Sequence, residues 1–280
     1  SCIREARPDK LFIAVDGARP HQEGERALVE ENRLFASRVD WSCQVETKFN
    51  TKNLGCGRAV SEAISWFFSE VDEGIILEDD CVPDSSFFDF AAEMLERYRS
   101  DDRIMMVNGT SYLRAPANSN SSYYFSRFDS VWGWATWRSA WDHYDFDLKR
   151  FPKDQSVENV IGEFSLLTRL HLKRIWRRIR RGKVDTWDYQ WEHSIWANDG
   201  IVITPFQNLI SNIGFDSRAT HTSNPDKDRS DRAVSPLESP LNHPEQTIVS
   251  QDLDRKYERE RIMSFRILFK LIVGKIFRWP

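Results

Sequence analysis

Three consecutive carboxylates, Glu78, Asp79 and Asp80, end the apolar run in the stretch EGIILEDDCVPDSSFFDF. Acids packed this closely repel one another unless a cation or a hydrogen-bond network offsets their charge. A divalent ion is the economical compensator. Hard oxygen ligands suit Mg2+ or Mn2+, and Mg2+ takes one or two protein carboxylates, leaving its other positions to water and substrate phosphates. Literal D-x-D triplets also occur at Asp145/Asp147, Asp226/Asp228 and Asp252/Asp254, so the bare pattern discriminates little. Only Glu78–Asp80 follows an apolar run; the other triplets lie in polar or aromatic stretches and are expected to be solvated. The competing reading is that the three acids cap a helix beginning near Ser86, where negative charge suits the positive end of the dipole.

Other stretches carry weaker signals. NLGCGRAV places Gly55 and Gly57 before a helix, but Val60 fills the third small position of a dinucleotide fingerprint, which argues against a nicotinamide cofactor. The turn could still bring backbone N–H groups and the Asn53 amide to a nucleotide. In WGWATWRSAW, Trp132, Trp134 and Trp137 could stack on sugars and Arg138 could pair with phosphate; dense core packing explains the same residues equally well. His193 lacks a second His at helical spacing and no HExxH occurs, so a local hydrogen bond is its expected role. Cys2, Cys43, Cys56 and Cys81 have no zinc-ligand spacing and read as reduced cytosolic thiols.

These residues need a scaffold. KLFIAVDG, CQVETKF and GIILEDD read as strands separated by the helical stretches GERALVEENRLFASRV and NLGCGRAVSEAISWFFSEV. Strand, helix, strand, helix, strand predicts an α/β fold with a mostly parallel, Rossmann-like central sheet and functional groups at its carboxyl edge. SSFFDFAAEMLERYRSDDR adds a helix with Ser85 or Ser86 as N-cap, IMMVNGTSY a strand ending near Asn108, and IVITPFQ another. The intervening aromatic stretch from about residue 118 reads as lining a binding face. At 280 residues and 40% hydrophobic, the chain can bury a full core. Its net charge of −4 gives no global pull toward nucleic acid.

The motifs VDGARP, NLGCGRAVSEAI, GIILEDDCVPDSSFF, WGWATWRSAW, TWDYQW and NLISNIGFDSRATHT, in that order from about residue 10 to 223, resemble bacterial glycosyltransferases of the GT-A (nucleotide-diphospho-sugar transferase) fold related to eukaryotic N-acetylglucosaminyltransferase I. The resemblance implies a metal-dependent inverting transfer of a hexosyl or N-acetylhexosaminyl group from a nucleotide sugar to a glycan or lipid-linked acceptor, in bacterial surface glycan or glycolipid synthesis. It implies that Asp80 holds Mn2+ or Mg2+ on the donor diphosphate, that Asp79 contacts ribose or sugar, and that Glu78, Gly55 and Trp187 flank the donor. It matches Asp16, Gly17 and Asn53 to positions lining the base or ribose, Asp188 to the catalytic base, and His221 to a late metal or diphosphate ligand. Glu192, one helical turn from Asp188, would share the acceptor face or act as the base itself; Asn108, Trp132, Trp134 and Arg138 are assigned to the acceptor. Relatives of this kind usually begin with a strand bearing an Asn-Arg-Pro-like element, and the chain here starts at Ser1, just before what would be the second strand.

The resulting expectation is a catalytic domain over 1–223, its nucleotide-binding half about 1–115 and its acceptor half about 116–223, then a polar loop over 224–251 and a basic amphipathic helix over 252–280. That last helix, and the basic run Arg169 to Lys183, could lie against an anionic membrane or a lipid diphosphate, or simply face solvent and protein. No run of about 18 apolar residues occurs, so the expected location is cytoplasmic, with peripheral contact at the inner membrane face. A sugar nucleotidyltransferase or a non-catalytic glycan-binding scaffold remains the alternative; the first needs an early glycine-rich basic phosphate loop, and the second would tolerate Asp188→Asn.

Overall fold

The computed structural model describes residues 2–214 and 233–262. The elements, in chain order, are α1 (Cys2–Ala6), β1 (Lys10–Val15), α2 (Glu25–Leu34), β2 (Gln44–Phe49), α3 (Gly55–Glu70), β3 (Glu73–Ile76), β4 (Cys81–Pro83) and α4 (Ser85–Tyr98). They continue with β5 (Ile104–Asn108), β6 (Tyr123–Ser126), β7 (Trp134–Trp137), α5 (Arg138–Trp141), α6 (Gln155–Gly162), α7 (Leu166–Arg180), α8 (Asp188–Ala197), β8 (Ile201–Pro205), β9 (Ile210–Asn212) and α9 (Gln251–Tyr257).

The fold is mixed α/β. Its main sheet has five strands in the order β3-β7-β5-β8-β6, accompanied by a parallel β1-β2 pair and an antiparallel β4-β9 ribbon. Within the main sheet only β5 and β8 pair in parallel; β3-β7, β7-β5 and β8-β6 are antiparallel. The expectation of a mostly parallel central sheet is therefore corrected to a mixed one. The physical reason lies in the aromatic stretch. The runs YYFS and WATW, with every residue buried, form β6 and β7 and run against β3, β5 and β8, which share one direction.

Two apolar layers cover the sheet. One collects α3, α6, α7 and α8 around Trp134, Trp141, Trp176, Trp187, Trp191 and Trp196; the other packs α4 onto Ile104, Val107, Tyr123, Ile203 and Ile210. Stacked and edge-on rings dominate the first, with Trp134 on Trp187 at 5.7 Å and Trp141 on Tyr144 at 4.3 Å. The N-cap of α4 is Asp84, whose Oδ1 accepts from Ser86 N at 2.9 Å, rather than Ser85 or Ser86. Asp254, expected to be solvated, is buried and accepts from the Ser126 hydroxyl at 2.6 Å and from Arg127 N at 3.0 Å. The described part of the C-terminal segment is α9 followed by a π-helical turn over Glu258–Ile262.

Candidate functional site

The carboxyl end of β3 delivers Glu78, Asp79 and Asp80 into a turn that is closed by Cys81 N donating to Glu78 O at 3.1 Å. The β4-β9 ribbon then fixes Asp80 from the far side. Ile213 N donates to Asp80 O at 2.9 Å, and the Asn212 side chain hydrogen-bonds the Asp80 carboxylate. Gly214 passes so close that a Cβ there would lie 2.1 Å from Asp80 Oδ2. Burial, and then the charges of Asp80, Asp188 and Asp79, push the Glu78 carboxyl up to about 8. Burial also raises Asp80, with the Asn212 bond acting the other way. Since Asp84 caps α4, the three acids are not that helix's cap.

A second acidic group faces the first. Asp188 opens α8, with the Thr186 hydroxyl and Tyr189 N (2.9 Å) both donating to its Oδ1, which leaves Oδ2 free to accept. One turn on, Glu192 Oε2 is buried and has no hydrogen-bond partner among the described residues, and burial followed by Asp129 and Asp188 pushes this carboxyl well above its usual range. Asp129 is pushed up to about 7 by burial and by Asp188. Its loop is pinned by Asn108, whose Oδ1 accepts from Ser130 N at 2.9 Å while its Nδ2 donates to Phe128 O at 3.3 Å and Thr204 Oγ1 at 2.9 Å. Glu78 feels both Asp80 and Asp188, so the two groups border one region. Among the described residues the charged neighbours that shift Glu78, Asp129 and Glu192 are all carboxylates.

The N-terminus of α3 joins the two groups. No side chain at its own N-cap, Leu54, satisfies it. Asp16, just past β1, accepts from Leu54 N (3.0 Å), Gly55 N (3.2 Å), Asn53 Nδ2 (2.9 Å) and Asn50 Nδ2 (3.0 Å) instead, and Asn53 Nδ2 also reaches Gly17 O at 2.8 Å. Asp185, three residues before Asp188, accepts from Gly57 N at 3.0 Å. Two carboxylates thus sit where the helix dipole favours negative charge; Gly55 adopts φ +80°, which favours glycine, and a Cβ at Gly57 would lie 2.7 Å from the Thr186 backbone carbonyl. Cys56 feels Glu78, Asp188 and Asp185, which together with burial push its thiol up to about 12.

Several assignments made from the sequence move. Trp134 and Trp187 are core residues, 0% and 2% exposed, and present no face to a sugar. Asn108 is buried with its amide fully engaged, so it positions the Asp129 loop rather than meeting an acceptor. Arg138 lies at the opposite end of the sheet, because Trp137 pairs with Glu73 at the start of β3; its guanidinium bonds Phe68 O and Val71 O at the end of α3 and pairs with Asp72 at 3.0 Å. Asp16 is spent on the α3 N-terminus. Trp132 is partly buried, its carbonyl accepting from Thr110 Oγ1 at 2.8 Å. His221 lies outside the described residues. Asp129, Asp185 and Asn212 were missed: each is an isolated polar residue whose partners are remote in sequence.

Among the described residues no three His, Cys, Asp or Glu side chains converge as a ready-made metal cage. The donor set nonetheless fits a hard cation that keeps most of its ligands from water and substrate: Asp80 is part-buried with Asp79 beside it, and no cationic side chain among the described residues shifts either Asp80 or Glu78. Two surface clefts lie beside α3, lined in one case by Ser65, Arg138 and Tyr144 and in the other by Arg58, Ser61, Tyr144 and Asp145; neither is lined by Glu78 to Asp80, Asp129, Asp188 or Glu192. Residues 215–232, which directly follow Gly214, are outside the described part. Compared with known protein families and curated proteins, the chain matches no family model and no curated sequence.

Proposed function

We propose that this chain is a metal-dependent, inverting glycosyltransferase of the GT-A type that moves a sugar from a nucleoside-diphosphate sugar to an acceptor hydroxyl. The observation that carries the reading is that Glu78 of the strand-end triplet, Asp129 and Glu192 all feel Asp188, and that among the described residues the charged neighbours shifting these three acids are carboxylates. Asp80, with Asp79 beside it, would hold Mn2+ or Mg2+. Such an ion, when bound, offsets the charge on a departing diphosphate.

The chain's own residues divide the remaining work. Asp188 Oδ2 receives no hydrogen bond among the described residues and accepts the acceptor hydroxyl's proton. Glu192, part-buried and biased by its surroundings toward its protonated form, lies one helical turn from that base and shares the acceptor face. Asp16 and Asp185 set the α3 N-terminus, and Trp134 stacked on Trp187 backs the segment carrying Asp188.

Calorimetry with a panel of nucleotide sugars, with and without Mn2+, tests the proposal. Asp80→Ala should weaken Mn2+-dependent donor binding by more than about tenfold, while Asp188→Asn should keep donor binding and abolish transfer. Equal donor affinity in wild type and Asp80→Ala would remove the metal assignment, and full transfer by Asp188→Asn would remove the base.

A further inference from the structure

Helix α7, of sequence LLTRLHLKRIWRRIR, carries six Arg or Lys and no acid in a chain whose net charge is −4. Its inward stripe is apolar and closed: Thr168, Leu172, Trp176 and Ile179 are buried, and Trp176 Nε1 donates to Tyr189 O at 3.3 Å. Two of its cations are also used at home, Lys173 pairing with Glu158 at 2.7 Å and Arg180 donating to Phe151 O at 2.9 Å.

The outward side is different. At 3.6 residues per turn, Leu166, Leu170, Arg174, Arg177 and Arg181 form one continuous stripe, flanked by Leu167 and Arg178. The leucines are 66%, 37% and 46% exposed at 166, 167 and 170. Arg174, Arg177, Arg178 and Arg181 are exposed, and among the described residues their side chains make no ion pair or hydrogen bond. An ordinary solvated helix face alternates its charges and hides its leucines; this face does neither. Three leucines at one end and four unpaired guanidinium groups along the rest match a surface that is apolar inside and phosphate-bearing outside.

We propose that the outward face of α7 docks onto an anionic lipid bilayer, the leucines entering the acyl boundary and the arginines meeting headgroup phosphates. The chain's own C-terminal segment is a poorer occupant. It departs beside α7, where Glu258 Oε1 accepts from Ser165 N at 2.8 Å, but residues 263–280 bring Arg266, Lys270, Lys275 and Arg278 with no Asp or Glu and cannot neutralise the arginines. Nucleic acid would engage the arginines and leave the leucines wet.

Co-sedimentation of the full chain with phosphatidylcholine vesicles, with and without phosphatidylglycerol, tests this independently of any transferase activity. Wild type should bind the anionic vesicles only. Arg174→Gln, Arg177→Gln and Arg178→Gln should each weaken binding by about fivefold. Leu166→Ser combined with Leu170→Ser should reduce the binding that survives at high salt, with thermal unfolding unchanged because both side chains are exposed. Failure of wild type to bind anionic vesicles would overturn the proposal. So would wild-type binding by the α7 variants alongside loss of binding in a chain ending at Ile262, because the surface would then be the tail.

Discussion

Replacing Asp129 by Asn tests whether the acidic region is strained by its own charge. In the folded chain, burial and Asp188 raise the Asp129 carboxyl from 3.8 to about 7. Below about pH 3.8 the folded and unfolded chains both hold this proton, and the group does not bias folding. As pH rises, the unfolded chain releases the proton while the folded chain retains it, so stability falls until about pH 7 and then levels off. About three units at ~1.4 kcal/mol each set a ceiling of ~4 kcal/mol. Water penetration and the neighbouring Glu192, which can take up part of the shift, reduce the expected effect to ~2 kcal/mol. Asn keeps the shape and removes the charge. Urea unfolding at pH 8 should therefore find Asp129→Asn more stable than wild type by ~2 kcal/mol, with the difference shrinking below ~0.5 kcal/mol near pH 4. A variant that is less stable at pH 8, or offset equally at both pH values, would refute the claim that like charges crowd this region.

Gly57→Ala places a Cβ 2.7 Å from Thr186 O and 2.6 Å from Asp185 Oδ1; it should destabilise the chain by ~2 kcal/mol in urea titration and reduce transfer beyond that loss, because Thr186 also holds Asp188. Asp185→Ala removes the acceptor for Gly57 N and should lower stability by ~1 kcal/mol; an unchanged melting curve would show that water replaces it. His193, buried edge-on to Trp176 and Phe151, is lowered from 6.5 to about 4 by burial. The unfolded chain takes up a proton below pH 6.5 that the folded chain refuses, so up to ~3 kcal/mol should be lost between pH 6.5 and 4, and His193→Leu should flatten that slope in acid titrations of stability.

The regular elements were legible where the local pattern is clear: α3 and α4 fall where amphipathic helical spacing puts them, and β1, β2, β3, β5 and β8 where short apolar or alternating runs do. β6 and β7 were not, because YYFS and WATW hold no aliphatic run like those of β5 and β8 and lie inside an aromatic stretch. Glu78 to Asp80 and Asp188 announce themselves through local sequence. Asp129 does not: in SRFDSVW it is one acid in an aromatic stretch, and its meaning comes from Asn108, Asp188 and Glu192, which local reading leaves unconnected to it. The same limit explains the α4 cap, where two serines at the right place lose to the preceding aspartate.

The placement of the acids follows from how α3 is capped. A helix that begins Gly-Cys-Gly after Leu54 offers its first N–H groups to whatever approaches, and glycine at 55 and 57 lets carboxylates come within hydrogen-bond range. Asp16 arrives from the end of β1 and Asp185 from the segment that leads into α8, 38 and 128 residues away from the N–H groups they accept. Each supplies the negative charge that the helix end favours. Together they tie the end of β1 and the start of α8 to one point, and Cys56 on that same helix terminus feels both Glu78 and Asp188. The α3 terminus thus anchors the segment leading into α8, whereas Asp80 is held separately, and loosening Asp185 should move Asp188 while leaving Asp80 clamped by Asn212 and Ile213.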